Sequence, residues 1–234
     1  MTSTFRIAHF NILGRNMAGT MWFHYARDFL PPVFASQHPD WTREAGYPRS
    51  LSWAPSDGPS RFHRFQVLLT EIRALRADVL CLVELDCFEE FRSVLADEGY
   101  DATFQARPGK DDGCGIFWRR EIFAAAAPSQ ALTYAQPARD RIALSQLLRH
   151  IATERQLLVV GTHLHWDQQA GHQAAEAKEL LASSLTAPTD AASPRAAVVV
   201  CSDLNSLPGS AAYEVMRSRF LDAGLSPGGP DGDD

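Results

Sequence analysis

What the chain is short of narrows its class first. None of its apolar runs approaches the roughly 18 residues that a membrane-crossing helix needs. Its opening residues, Met-Thr-Ser-Thr-Phe-Arg, hold no apolar segment of the signal-peptide kind. Membrane-spanning and secretory classes are set aside, and the reading is of an intracellular, cytoplasmic protein, with nuclear or organellar addresses as alternatives. Cysteine is scarce: Cys81, Cys87, Cys114 and Cys201, with no C-x-x-C pair. That speaks against a disulfide scaffold or a zinc ribbon, and buried free thiols are expected. Positive charge is scarce too, with 22 Lys and Arg against 28 Asp and Glu and a net charge of −6. Broad nonspecific coating of nucleic acid is therefore disfavoured, while a local basic groove stays compatible. No internal repeat is present.

What is there is a 234-residue chain with an ordinary hydrophobic fraction of 45%, enough for one large domain with its own core. Residues 5–11 alternate with period two, a first strand with Phe5, Ile7 and His9 on one face and Asn11 at its end. Residues 16–60 read as a long surface excursion, rich in Pro, Ser and Gly and anchored by Trp41, Tyr47 and Trp53. From Arg61, Phe62, Phe65, Leu68, Leu69, Ile72 and Leu75 form one helical stripe. Residues 78–86 predict a buried strand terminating at Glu84, and 87–98 a helix stopped by Gly99. Residues 103–105 and 114–118 predict a strand pair around a turn at 107–113. A second pair is predicted at 142–151 and 156–163. A helix follows at 170–185, with Ala174, Ala177, Leu180 and Leu181 facing the core.

The organising stretch is 196–210. Ala196 to Cys201 has the β-branched composition of a buried strand. It gives way to Asp203 and Asn205, Pro208 and Gly209 break the backbone, and a helix is expected from Ser210 to about 221. The domain is taken as 1–222, with 223–234 a disordered tail. Strands linked alternately by helices and hairpins predict a mixed α/β sandwich rather than a regular doubly wound sheet.

Four apolar strands therefore end in polar groups: Asn11, Glu84, His163, and the pair Asp203 and Asn205. Singly, each has an ordinary explanation in turn chemistry or a solvated strand end. Together, on one edge of a sandwich, they make an oxygen-rich site suited to Mg²⁺ (or Mn²⁺) rather than zinc. His163 can hydrogen-bond a phosphate oxygen, and Asp203 can orient or deprotonate a water.

In this order, Asn11, then Leu-Val-Glu-Leu-Asp at 82–86, Gly-Thr-His-Leu-His-Trp-Asp at 161–167, and Cys-Ser-Asp-Leu-Asn-Ser-Leu-Pro at 201–208, the chain resembles the endonuclease/exonuclease/phosphatase superfamily. With Asp-Gly-Cys-Gly-Ile-Phe-Trp at 112–118, it is most similar to the carbon-catabolite-repressor-type deadenylases and their relatives nocturnin and angel. The resemblance implies a deoxyribonuclease-I-like four-layer α/β sandwich of two mixed sheets flanked by helices. It implies Asn11 and Glu84 as metal ligands, and His163, Asp203 and Asn205 as catalytic residues. His165 and Trp166 would line the substrate cleft. The implied activity is that of a Mg-dependent phosphodiester hydrolase, a 3′-exoribonuclease of deadenylase type acting on RNA. A nucleotide phosphatase or an abasic-site endonuclease is the enzymatic alternative, and an inactive RNA-binding or scaffolding module the non-enzymatic one. Two departures stand out. Val83 replaces a usual Gln, and the family's closing Asp strand and Ser-Asp-His motif have no counterpart, so the closing C-terminal strands are expected to be missing and activity impaired. No leucine-rich repeat for docking to a deadenylase complex is present, and the partners expected are RNA or a nucleotide phosphate, with no membrane.

Overall fold

A computed structural model describes residues 4–14, 64–135, 139–167, 171–183 and 196–220. The excursion at 16–60, the loop at 186–194 and the tail at 223–234 lie outside the described residues.

Nine strands alternate with four helices in the described residues. In chain order they are β1 (Ile7–Asn11), α1 (Arg64–Leu75), β2 (Val79–Leu85), α2 (Phe88–Asp97), β3 (Tyr100–Ala106), β4 (Gly113–Arg119), β5 (Phe123–Ala125), β6 (Gln130–Thr133), β7 (Ile142–His150), β8 (Gln156–His163), α3 (His172–Ala182), β9 (Ala197–Asp203) and α4 (Ala211–Arg217). One sheet has the order β1-β2-β4-β3, the other β5-β7-β8-β9 with β6 paired to β7. Both are mixed. β1 runs parallel to β2, and β8 parallel to β9, while the remaining pairs are antiparallel. Parallel neighbours need a crossover, and α1 and α3 lie in the two crossovers.

Side-chain alternation divides the interior into three apolar layers, which makes four layers of secondary structure. On the outer face of the first sheet, Leu80, Leu82 and Phe117 pack against Leu68, Leu69 and Ile72 of α1 and Phe91 and Leu95 of α2. Between the sheets, Val79, Cys81, Val83, Ile116 and Trp118 meet Ile142, Leu144, Leu157 and Val159. On the far face, Ala143, Leu158 and Val160 meet Ala177 and Leu180 of α3 and Met216 of α4. Each fully buried aliphatic or aromatic side chain here contributes about 1.5–3 kcal/mol relative to exposure. All four cysteines are buried, and none is in a disulfide. No helix of the described residues is long and apolar enough to cross a membrane.

Several sequence expectations need correction. β9 is not a buried core strand. It is the outer strand of its sheet, and most of its residues are half-buried. Its Val-rich composition reflects two half-covered faces rather than full enclosure. β2 does not terminate at Glu84 but continues to Leu85 through an irregularity. β5 and β6, only three and four residues long, have no counterpart in the sequence reading. Leu75, assigned to the buried stripe of α1, is exposed at its last turn. On α3 the buried face carries Gln173 and Glu176 beside Ala177 and Leu180, with Ala174 only half-buried. α4 is shorter than expected and starts where Ser210 accepts the Tyr213 backbone N–H at 3.2 Å, an N-cap.

Candidate functional site

β1 and β9 are the outer strands of the two sheets, and they approach each other. That approach assembles the site. Ile7 lies among the residues packed between the sheets, so Asn11, in phase with it on β1, projects the same way. Val199 and Cys201 do the same for Asp203, and Leu157 and Val159 for His163.

Glu84 reaches the site by a different route. Regular alternation would put it with Leu80 and Leu82, facing the helices. Instead the register shifts between Val83 and Leu85, and Glu84 takes a left-handed φ of 55°. Val83 still faces the inter-sheet core, while Leu85 joins the helix-side cluster. The bulge thus turns the glutamate inward. A non-glycine residue in this region of backbone space is strained, a condition often found at functional sites. Asn205 has the same property, with φ of 48°.

The five strand-end residues are brought together by hydrogen bonds. The Asn11 amide nitrogen donates to Glu84 Oε1 at 3.1 Å and to Asp203 Oδ2 at 3.0 Å. Its carbonyl oxygen accepts the Leu13 N–H at 2.9 Å. The Asn205 backbone N–H donates to Asp203 Oδ1 at 2.9 Å. The Asn205 side-chain amide lies 2.7 Å from His163 Nε2 and donates to the Leu164 carbonyl at 2.9 Å. His163 Nδ1 sits 3.7 Å from Glu84 Oε1, and its Nε2 3.9 Å from Asp203 Oδ2.

Burial tends to raise the Asp203 carboxyl, but the bonds from Asn11 and Asn205 outweigh it and hold the group below the usual carboxylate value. Asp203 is therefore ionised at neutral pH. Burial, reinforced by the nearby Arg141 charge, pushes His163 down to about 4. It is a neutral imidazole, and as acceptor from Asn205 at Nε2 it carries its proton on Nδ1.

His165 lies just past the end of β8. Its backbone N–H donates to Glu176 Oε2 of α3 at 2.8 Å. Its ring stacks on Trp166, centroids 5.8 Å apart. Trp166 is 68% exposed.

Among the described residues no group of three or more His, Cys, Asp or Glu is arranged to hold a metal. The donor set nevertheless fits a hard cation. Two carboxylates converge on the Asn11 amide, and Glu84 Oε2 is a buried oxygen without a hydrogen-bond partner. A carboxylate oxygen out of water and unpaired is costly unless a cation takes it.

Sequence reasoning placed His9 on the right face but gave it no role. It sits near Asp203 with Nε2 buried and unpartnered, and burial lowers its pKa. Its position two before Asn11 was the available signal. Arg141, Arg107 and Glu176 were missed altogether. Burial raises Glu176 to about 7.

The family model described as "Endonuclease/Exonuclease/phosphatase family" matches residues 8–233. Among curated proteins, the chain is 30% identical over 173 residues to "Protein angel homolog 2" of Danio rerio, covering 68% of this chain and 30% of that one. It is 28% identical over 174 residues to "Nocturnin" of Xenopus laevis, covering 68% and 43%. The chain thus spans less than half the length of these relatives. Among solved structures, ANGEL2, titled a 2′,3′-cyclic phosphatase in complex with adenosine-2′,3′-vanadate, superposes with a TM-score of 0.70 at 25% identity, covering 92% of this chain and 57% of that one. The human Nocturnin catalytic domain with bound sulfate gives 0.64 at 21% identity, covering 92% and 70%.

Proposed function

We propose, for a chain that belongs to the Endonuclease/Exonuclease/phosphatase family, that it is a Mg-dependent phosphodiester hydrolase acting on RNA in the manner of a 3′-exoribonuclease. The observation that supports this most directly is the Asn11 amide held between Glu84 and Asp203. Two acids from different sheets meet there, one of them with an unpaired buried oxygen. Glu84 and Asn11 would hold Mg²⁺ (or Mn²⁺). When bound, such a cation neutralises phosphate charge and makes water a better nucleophile.

The chain's own residues do the rest. Asp203 is ionised, and its Oδ1 is fixed by the Asn205 N–H. Oδ2 is then oriented to take a proton from an attacking water. Neutral His163, held at Nε2 by the Asn205 amide, can donate a hydrogen bond through Nδ1–H to a phosphate oxygen. Asn205 fixes both, through its backbone and its side chain. Trp166 offers an exposed indole face, and a base stacking there gains about 1–3 kcal/mol.

The likeness to ANGEL2 favours a second reading, removal of a 2′,3′-cyclic phosphate from an RNA end. Both chemistries need the same acids and differ in where the leaving oxygen sits. The deciding experiment offers labelled oligo(A) with a 3′-hydroxyl end and the same oligomer with a 2′,3′-cyclic end, with Mg²⁺, Mn²⁺ or EDTA. Ladder formation from the first substrate supports the exonuclease. Release of the terminal phosphate, leaving a 2′,3′-diol without shortening, supports the phosphatase. Absence of either, with retained RNA binding, would leave a non-catalytic RNA-binding module as the reading.

A further inference from the structure

The strongest unassigned feature is an acid on the inner face of α3. Glu176 is 0% exposed, beside Gln173, Ala177 and Leu180 on the buried side of that helix. A carboxylate placed there loses its water and must find its partners in the protein. Its Oε2 accepts the His165 backbone N–H at 2.8 Å, while its Oε1 is buried without a hydrogen-bond partner.

That bond falls where the chain leaves the sheet. β8 ends at His163, and Leu164 is still tied to the β9 end by both its backbone groups. Its N–H donates to the Asp203 carbonyl at 2.9 Å, and its carbonyl accepts the Asn205 amide at 2.9 Å. His165 is the first residue past those ties, and its N–H is held by a helix side chain instead of a strand. The ring follows from that placement. Its Nδ1 accepts the Asp167 N–H at 3.1 Å. It stacks on Trp166, and it meets the ring of His172 on α3 edge-on, centroids 5.2 Å apart. One bond from Glu176 thus fastens the turn that carries both residues assigned to the substrate cleft.

We propose that Glu176 is a positioning residue, which sets the pose of the His165–Trp166 turn and through it the affinity for an RNA strand. That the turn meets RNA rests on the reading above; the hold of Glu176 on the turn does not. A charged acceptor makes a stronger hydrogen bond than a neutral one, so the turn is fastened most firmly when Glu176 is ionised. Linkage gives the same sign: the His165 N–H favours the ionised acid, against the burial that raises it to about 7. Of the groups around it, Arg141 ahead of β7 also favours ionisation, while Asp140 and Glu179 oppose it. Arg107 and Asp112 act in turn on Arg141. Tyr134, bonded to Thr162 at 2.9 Å, is kept neutral by burial, and burial lowers the His165 ring. Raising the pH through neutrality therefore tightens the turn while it places a charge in the interior. RNA affinity and stability move in opposite directions, whereas a purely structural acid would make affinity follow stability.

Wild type, Glu176→Gln and Glu176→Leu are compared at about pH 6 and pH 8. Binding of a fluorescent oligo(A) is followed by anisotropy in EDTA, and melting temperatures are measured in the same buffers. From the lower to the higher pH, the affinity of wild type relative to Glu176→Gln should rise about threefold or more, while its melting temperature falls relative to that variant. Glu176→Leu, with no acceptor for the His165 N–H, should bind about fivefold or more weaker than Glu176→Gln at both pH values. Equal affinity of wild type and Glu176→Leu would overturn the proposal. So would a wild-type-to-Gln affinity ratio that ignores pH, affinities that track melting temperature across the three proteins, or no oligo(A) binding by wild type. Cleavage with Mg²⁺ separates this from the hydrolase reading. If wild type cleaves, Glu176→Leu should raise KM and leave kcat nearly unchanged. If wild type binds oligo(A) in the Glu176-dependent way and cleaves nothing, the positioning role stands and the hydrolase reading falls.

Discussion

The two ends of the site are built on opposite terms. At the Asn11 end, charge is matched: one amide bridges Glu84 and Asp203, and Asn205 fixes both Asp203 and His163. At the Arg141 end, charge is crowded and only partly paired: Arg107 meets Asp112, but the Arg107 and Arg141 Nε atoms, Asp140 Oδ1 and Glu176 Oε1 are buried without a hydrogen-bond partner, and Glu176 is pushed up to about 7. The first end is held together by its own bonds. The second is tolerated because the rest of the fold is stable enough to carry it. The mixed charges of the second end, two arginines among Asp112, Asp140 and Glu176, act on one another through space without the full set of bonds that fixes the first.

The sharpest way to break the comparison is to remove the charge of the matched end. Asp203→Asn keeps the shape and the acceptor for the Asn205 N–H but loses the base. We expect Mg-dependent cleavage of labelled RNA to fall by about 10²–10³ or more, with the thermal midpoint modestly lowered because the new amide nitrogen faces the Asn11 donor. Loss of folding instead would show Asp203 to be a structural acid.

Next in size is the backbone that aims Glu84. A Cβ added at Gly113, opposite the bulge, would lie 2.0 Å from the Gln105 carbonyl oxygen. Gly113→Ala forces β3 and β4 apart and should cost about 1–3 kcal/mol or more of stability. Divalent-ion binding should weaken with it, because the register that turns Glu84 inward is disturbed. Denaturant melts with calorimetric Mn²⁺ titration test both halves.

At the Arg141 end, Glu176 gives a pH-dependent comparison. Its folded pKa is raised from 4.5 to about 7, first by burial, against the opposing His165 N–H bond. The folded state thus favours the protonated form. The stability this lends is complete below about 4.5 and is lost as pH rises towards about 7. Glu176→Gln keeps an acceptor for His165 and cannot ionise. It should match wild type at the acid end and exceed it above neutrality by on the order of 3 kcal/mol, at 1.36 kcal/mol per unit. Parallel stability curves for the two proteins would refute the assignment.

The smallest expected effect lies at the rim. Trp166→Ala should weaken oligo(A) binding by about 1–3 kcal/mol and leave the melting temperature unchanged, since the indole is exposed. Equal affinity of both proteins would remove Trp166 from the substrate surface.

Much of the matched end was legible in the sequence, and little of the Arg141 end. Asn11, His163 and Asp203 close strands without a register shift, so their facing follows from parity alone. Glu84 was found by its place at the end of an apolar run, but how it reaches the site was not. A bulge leaves no mark in composition, and alternation by itself would have turned the side chain toward the helices. β9 misled because Val-rich strands occur both fully enclosed and on a sheet margin. Arg141 was invisible for another reason. Nothing in the charged run Arg139, Asp140 and Arg141 marks one member as buried, and only tertiary packing buries the last of them. β5 and β6 are too short to show a period, and Glu176 stands among alanines on a helix where a polar residue normally signals the solvent side.

The Asn11 amide has a mechanical consequence. It is the rivet between the two sheets at their open margin, joining β1 and β2 to β9 through one nitrogen. A cation held by Glu84 Oε2 and the Asn11 carbonyl oxygen would leave the rivet's nitrogen and its two acceptors in place. Fastening the margin and loading the site then draw on different atoms of the same side chains. The seam is closed by the protein's own bonds, and a cation would add to that closure without undoing it.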